Sequence, residues 1–268
     1  MIAFASNSLL CRAALKQTSI DAATFTFVRI FSGAAALWLI IKMRRTTWND
    51  AGNWFSAAAL FVYAAAFSFA YNTLSAGTGA LLLFGAVQAT MILWGFRKGE
   101  RLHAIQIVGL VMAVTGLVVL LLPGLSAPPL SGSILMLGAG VAWGIYSLRG
   151  KGQKNPVSAT AGNFLRAVPF AAIVSVMLFP WARLDRTGID YAVISGAITS
   201  GLGYVIWYSA LPGFKAASAA TVQLSVPVLA ATGGILILGE PITFRYFVAS
   251  IAVLGGIALV IVEKNSAR

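Results

Sequence analysis

The chain has 268 residues, 59% of them hydrophobic and only 10% charged, with a mean hydropathy of +0.87. Soluble domains are about one quarter charged, so this composition excludes a water-clothed globule and indicates an all-α polytopic membrane protein, since helices satisfy their own backbone hydrogen bonds in lipid. The formal net charge of +12 is ascribed to cytoplasmic Lys and Arg rather than to nucleic acid, and the single cysteine, Cys11, excludes an internal disulfide and a cysteine-based metal cluster.

A spanning helix needs about 20 residues. The first apolar segment, 1–15, is followed by 22–43, which carries Arg29 about one third of the way along. Segments 53–71 and 76–97 lie within 46 uncharged residues, Ala51 to Phe96, and divide at Ser75-Ala76-Gly77-Thr78-Gly79. Segments 104–122 and 131–149 lie within 45 uncharged residues, Ala104 to Leu148, and divide at the helix-stopping cluster PGLSAPPLSGS. Segment 158–179 carries Arg166, and 189–210, 216–238 and 243–262 bring the expected spans to ten. The N-terminus lacks a basic segment, apolar core and small-residue cleavage site, so no secretory signal is expected.

Lys and Arg placement sets the expected orientation. With the N-terminus inside, twelve fall on inside segments (Lys42, Arg44, Arg45, Arg97, Lys98, Arg101, Arg149, Lys151, Lys154, Lys215, Lys264, Arg268). Five fall outside: Arg12, Lys16, Arg183, Arg186 and Arg245. Both termini are therefore expected in the cytoplasm.

The sequence repeats at an offset of 137, which pairs Arg29 with Arg166, Arg12 with Arg149, Phe27 with Phe164 and Tyr71 with Tyr208. At an offset of 140 it pairs Gly99-Glu100 with Gly239-Glu240 and Gly116 with Gly256. Two repeats are expected, 1–123 and 131–268, of five helices each. Five is odd, so the second copy must enter the membrane from the opposite side, and inverted repeats place a substrate site near the midplane between the halves. By the same register the first helix is about seven residues shorter than its partner, and at 1.5 Å per residue spans about 22 Å. The expectation is a natural start upstream of Met1, which N-terminal sequencing of the native protein tests.

An intramembrane Arg is costly and faces protein or a watery cavity by default. Two readings stand for Arg29 and Arg166: attraction of an anionic substrate group, or snorkelling and neutralisation of helix-end carbonyls. All seven acids fall at loops or span ends, which argues for a facilitator or exchanger rather than a proton relay. Glu100 and Glu240 precede the fifth and tenth spans and read as their N-terminal caps. Pro227 lies inside the ninth span and frees the carbonyl of Gln223; Gln88 lies mid-span in the equivalent fourth. Asn7, Asn72 and Asn163 are further polar candidates. Trp143 and Tyr146 share a helix face and are expected at a cavity with Tyr204, whereas Trp207 and Tyr208 read as interface belt. Gly140 and Gly144 allow close approach of another helix. His103 reads as a solvated boundary histidine. No nucleotide loop, zinc signature or nucleophile elbow is present, so no catalytic residue, metal or cofactor is expected.

Gly-Glu pairs in "GERL" (Gly99 to Leu102) and "GEPI" (Gly239 to Ile242) precede the last helix of each unit. With the segments "ALLLFGAVQATMILW" and "AATVQLSVPVLAATGGILILGEPIT", the pattern resembles EamA-type members of the drug/metabolite transporter superfamily. It departs from them at the short first helix, and at Val87-Gln88 where the second half has its Pro227 element. The resemblance implies a basket of helices one to four and six to nine around a central cavity, with five and ten peripheral. It implies export or exchange of small metabolites, such as amino acids, across a bacterial inner membrane. A drug exporter, a lipid-modifying membrane enzyme and a channel are the alternatives. The expected partners are a small-molecule substrate and the bilayer, and a homodimer is left open.

Overall fold

The computed structural model describes residues 1–43, 52–99, 103–124, 127–150, 153, 155–210 and 222–266, apart from the side chains of 208, 209 and 262–266. Glu100, the Tyr208 side chain and the first residues of the expected ninth span, 216–221, lie outside the described residues.

The described residues arrange as ten helices and no strand. They are α1 (Ile2–Gln17), α2 (Ala22–Met43), α3 (Trp54–Tyr71), α4 (Ala76–Arg97), α5 (Ala104–Leu121), α6 (Leu130–Gly150) and α7 (Pro156–Met177). The eighth, α8, runs Arg186–Val193 as an α-helix, Ile194–Leu202 as a π-helix and Gly203–Ala210 as an α-helix again. After it come α9 (Ser225–Leu238) and α10 (Phe244–Ser266). Eight of the ten are long and apolar enough to cross a membrane; α1, with 16 residues, and α9, with 14, are shorter. The chain is thus a multi-pass membrane protein.

Polar residues at the predicted breaks start the helices. Asn53 Oδ1 accepts from Ser56 N–H (2.9 Å), Ser75 Oγ from Thr78 N–H (3.3 Å) and Asn155 Oδ1 from Ser158 N–H (3.2 Å), each satisfying a donor the helix cannot. Asp185 Oδ1 does the same for Gly188 N–H (2.9 Å), which moves the start of α8 upstream of the expected 189. Gly99 and Gly239 have φ of +86° and +63°, a conformation glycine adopts without penalty. That is the local reason for the glycine of each Gly-Glu pair: it ends α4 and α9.

The halves pack as a pseudo-symmetric pair. Helix α2 lies on α7, α4 on α9 and α5 on α10, each helix against its own repeat partner, while α3 and α4 flank α6 as α8 and α9 flank α1. Small residues set the spacing, as expected where lipid supplies no hydrophobic drive between helices. A Cβ on Gly140 of α6 would fall 2.5 Å from the Leu83 carbonyl of α4, and one on Gly144 2.9 Å from Thr90. Helices α5 and α10 form a peripheral pair, closed where a Cβ on Gly256 would meet the Gly109 carbonyl at 2.3 Å and where Gln106 Nε2 donates to Val260 O (3.0 Å). His103 precedes α5, and its backbone N–H donates to Gln106 Oε1 (2.9 Å).

Two sequence expectations change. Glu240 does not cap α10. It is buried, accepts from Arg12 Nε (2.9 Å), and caps α4 instead by accepting from Ala76 N–H (2.7 Å). The dipole argument holds, but tertiary packing supplies a different helix end. Pro227 lies at a break in the expected ninth span. Val222 and Gln223 are helical, the chain turns at Leu224, and α9 resumes at Ser225 with Pro227 in its first turn, where no intrahelical N–H is needed.

Candidate substrate cavity

Between the two halves lies a narrow cleft lined by Phe4, Asn7 and Ser8 of α1, Tyr63 and Phe67 of α3, Leu83 and Phe84 of α4, Trp143 of α6 and Tyr204 of α8. The space between its atoms, open mouth included, is about 280 Å³, of which only about 10 Å³ is wide enough for water. Its floor is aromatic. The Phe4 ring stands edge-on to Trp143 (6.1 Å), Tyr204 (5.7 Å) and Trp207 (6.0 Å), and Trp143 lies 4.8 Å from Tyr63 and 5.0 Å from Tyr204. Trp207 is thus tied to the cavity cluster rather than standing only in an interface belt.

One wall is polar. Tyr63 Oη accepts from Arg29 Nη2 (3.2 Å) and from Asn7 Nδ2 (3.4 Å). Asn7 Oδ1 accepts from Ser195 Oγ (2.5 Å) and faces Thr199 Oγ1 (3.3 Å). Arg29 Nε donates to Ser200 Oγ (3.4 Å). Ser195, Thr199 and Ser200 all belong to the π segment of α8, and π turns are frequent at functional sites. The segment is pressed against α2: a Cβ on Gly196 would fall 2.1 Å from the Arg29 carbonyl. Glycine here lets the serine and threonine hydroxyls approach Arg29 and Asn7.

Arg29 is 2% exposed, with its guanidinium carbon 4.9 Å from the Phe67 ring centre and 5.4 Å from that of Tyr63. Its Nη1 is buried without a hydrogen-bond partner. The one ion pair among the described residues is Arg12 with Glu240, so no described carboxylate compensates Arg29.

Arg166 stands elsewhere. It is half-buried, donates from Nη1 to Gly162 O of its own helix (3.1 Å) and lies 6.0 Å from the Trp54 ring centre. Tyr146 and Asn163 belong to a second recess with Asn53, Ser56, Arg149 and Thr160. There Asn163 Oδ1 accepts from Asn53 N–H (2.9 Å), and Arg149 donates to Ser56 Oγ (3.0 Å) and Asn53 Oδ1 (3.2 Å). Asn72 is exposed at the end of α3, where its carbonyl and that of Tyr71 accept from Arg12 Nη1 (3.2 and 2.8 Å). Gln88 is buried on α4 with Nε2 unpartnered. Gln223 is half-buried and Pro227 buried, and neither lines the central cleft.

Of the residues chosen from sequence, the structure gathers Asn7, Trp143 and Tyr204 around the central cleft and sets Arg29 directly behind it. Tyr63, Phe4, Ser195, Thr199 and Ser200 escape a sequence reading. The signal for Tyr63 is a hydroxyl in the middle of an otherwise apolar span; Phe4 has none that separates it from lipid-facing aromatics.

Comparison with known proteins places the chain among transporters. The chain matches the EamA-like transporter family over residues 1–122 and 130–262. An uncharacterized protein of Pseudomonas aeruginosa is 57% identical over 265 residues, covering 98% of this chain and 92% of that protein. A probable amino-acid metabolite efflux pump of Escherichia coli is 26% identical over 199 residues (68% of this chain, 66% of the pump). The threonine/homoserine exporter RhtA of Salmonella typhimurium is 31% identical over 159 residues (56% and 52%). A solved crystal structure superposes with a TM-score of 0.71 at 17% identity, covering 98% of this chain and 95% of that one, a likeness of fold.

Proposed function

The chain belongs to the EamA-like transporter family, and from that premise we propose that it is a secondary transporter. It moves a small metabolite, an amino acid or a related compound, out of the cell or in exchange, by alternating access across a bacterial cytoplasmic membrane, with both termini cytoplasmic. The observation that carries this reading is the central cleft itself. Side chains of both halves line it, from Phe4, Asn7 and Tyr63 to Trp143 and Tyr204. Two halves joined around such a site can rock and expose it to either side in turn. The narrowness of the cleft is that of an occluded state.

The efflux names of the partial relatives support the cargo class at low identity. Arg29, Asn7, Tyr63, Trp143 and Tyr204 are the residues assigned to substrate. The acids at span ends support a facilitator or exchanger, with Glu240 already committed to Arg12.

The test is a thermal-shift screen of the purified protein against amino acids, organic acids, nucleosides and drugs, followed by proteoliposome flux of each hit. Saturable, counterflow-competent flux is expected for at least one hit, and flux that never saturates indicates a channel. Cysteine labelling tests the topology: Asn49 and Pro156 are expected to react from the same, cytoplasmic side.

A further inference from the structure

Resting on that reading, we infer that the polar wall of the cleft is a carboxylate receptor. The substrate bears a carboxylate, which Tyr63 meets directly and Arg29 attracts from behind, and an apolar body that lies on Phe4, Trp143 and Tyr204.

Tyr63 Oη accepts two hydrogen bonds, from Arg29 and from Asn7. An oxygen with both lone pairs engaged has only its own hydrogen left to offer. Tyr63 lines the cleft, so the group shown to an incoming molecule there is a donor. Asn7 accepts from Ser195 Oγ (2.5 Å) through Oδ1, and its amide nitrogen faces Tyr63 and adds a second donor to the same wall.

Behind the donors stands a whole positive charge. Arg29 has five N–H hydrogens. Nε is used on Ser200 and Nη2 on Tyr63, while Nη1 is buried and unpartnered. A buried charge with neither counter-ion nor complete hydrogen bonding is costly. Proteins retain such a charge where a ligand completes it, and in a membrane-embedded Arg the default reading is functional. The partner that satisfies a guanidinium and a phenol hydroxyl together is an oxyanion with several lone pairs. The aromatic floor offers no partners to the water shell of a polyanion. A single carboxylate on an apolar body matches the chemistry of both walls. A zwitterion fits as well, because its ammonium group is accommodated by aromatic faces; a cation without a carboxylate is repelled.

The test uses three probes with one body: 3-phenylpropionate (carboxylate), L-phenylalanine (zwitterion) and phenethylamine (cation). Aliphatic acids and amines of matched size are run beside them. Thermal shift and proteoliposome flux are read for the wild type, Arg29→Gln, Arg29→Lys and Tyr63→Phe. One or more carboxylate-bearing probes should stabilise and move, and no plain amine should. Apparent affinity for the carboxylate probes should fall at least about tenfold in Arg29→Gln, and less in Arg29→Lys, which keeps the charge but not the fork. Tyr63→Phe keeps the ring and should also lose affinity; it serves if Arg29→Gln fails to fold. The inference is overturned if an amine moves as well as the acids, if the folded variants keep wild-type affinity, or if only non-carboxylate compounds are carried. In those cases the transporter reading stands. If no compound of any class binds or moves, both readings fall.

Discussion

Arg29 and Arg166 occupy the same place in equivalent helices, 137 residues apart, and their surroundings have diverged. Arg29 is sealed between two aromatic rings with one nitrogen unpartnered; Arg166 is half-buried and bonds back to its own helix. The second arginine pair diverges in the same direction. Arg12 meets a buried carboxylate from the other half, whereas Arg149 meets the neutral groups of Ser56 and Asn53. The shared register keeps where the cations sit along the chain, not what surrounds them. In each pair the first-half member is the more deeply committed one, so the two halves share a scaffold and divide its tasks.

The largest effect separating the members is expected at the Arg12 end. Glu240→Ala leaves a largely buried guanidinium unpaired, Arg12 being 13% exposed, and strips the cap from Ala76 N–H. It should cost about 3 kcal/mol in detergent unfolding. Arg149→Ala, which breaks bonds to neutral, partly wet groups, should cost under about 1 kcal/mol. Equal losses would dissolve the contrast.

Next come the intramembrane pair. Flux of a carboxylate cargo should fall at least about tenfold in Arg29→Gln, a loss of about 1.4 kcal/mol. It should stay within about twofold in Arg166→Gln, because Arg166 does not line the central cleft. If both variants transport normally while folded, neither arginine reads an anion.

Asn53→Ala sharpens the Arg149 side, since the one Oδ1 atom caps α3 and accepts from Arg149. A loss of about 1 kcal/mol is expected, the ordinary worth of a cap, with little added when Arg149→Ala is combined with it.

The smallest effect is a pH dependence at the loop between α1 and α2 and at the start of α8. Asp21 is raised by partial burial, but bonds from Thr24, Arg183 and Ala23 outweigh this and leave it below the usual carboxylate range. Asp185 is likewise held low, by Gly188 N–H first and Ser19 next. A carboxyl lower in the folded than in the unfolded state adds stability above its unfolded value, about 3.9. That stability is lost as pH falls through the folded value. Melting in detergent should therefore be flat near neutrality and decline only below about pH 4. Asp21→Asn should flatten the decline.

Much of this architecture is legible in the sequence because membrane physics leaves few options. Uncharged runs of two helix lengths, broken by Gly and Pro clusters, fix the spans, and the cluster from Ser75 to Gly79 marks where α4 begins. The Arg and Gly-Glu spacings fix the duplication. Asn7, Arg29, Trp143 and Tyr204 could be chosen because polar or bulky groups inside apolar helices need a reason to be there. What escaped depends on partners distant in the chain. Ser195 to Ser200 read as ordinary helix, because a π turn is imposed by contact of Gly196 with α2 rather than by composition. Glu240 read as the cap of the helix that follows it, because nothing local reveals Arg12 228 residues away. Arg29 and Arg166 read alike because the repeat register reports position and is silent on environment.

The Arg12–Glu240 contact also bears on how the molecule is made. Arg12 leaves the ribosome 228 residues before Glu240, so the helices between them enter the bilayer before the ion pair and the cap on Ala76 N–H can form. A chain truncated ahead of residue 240 lacks both contacts at once.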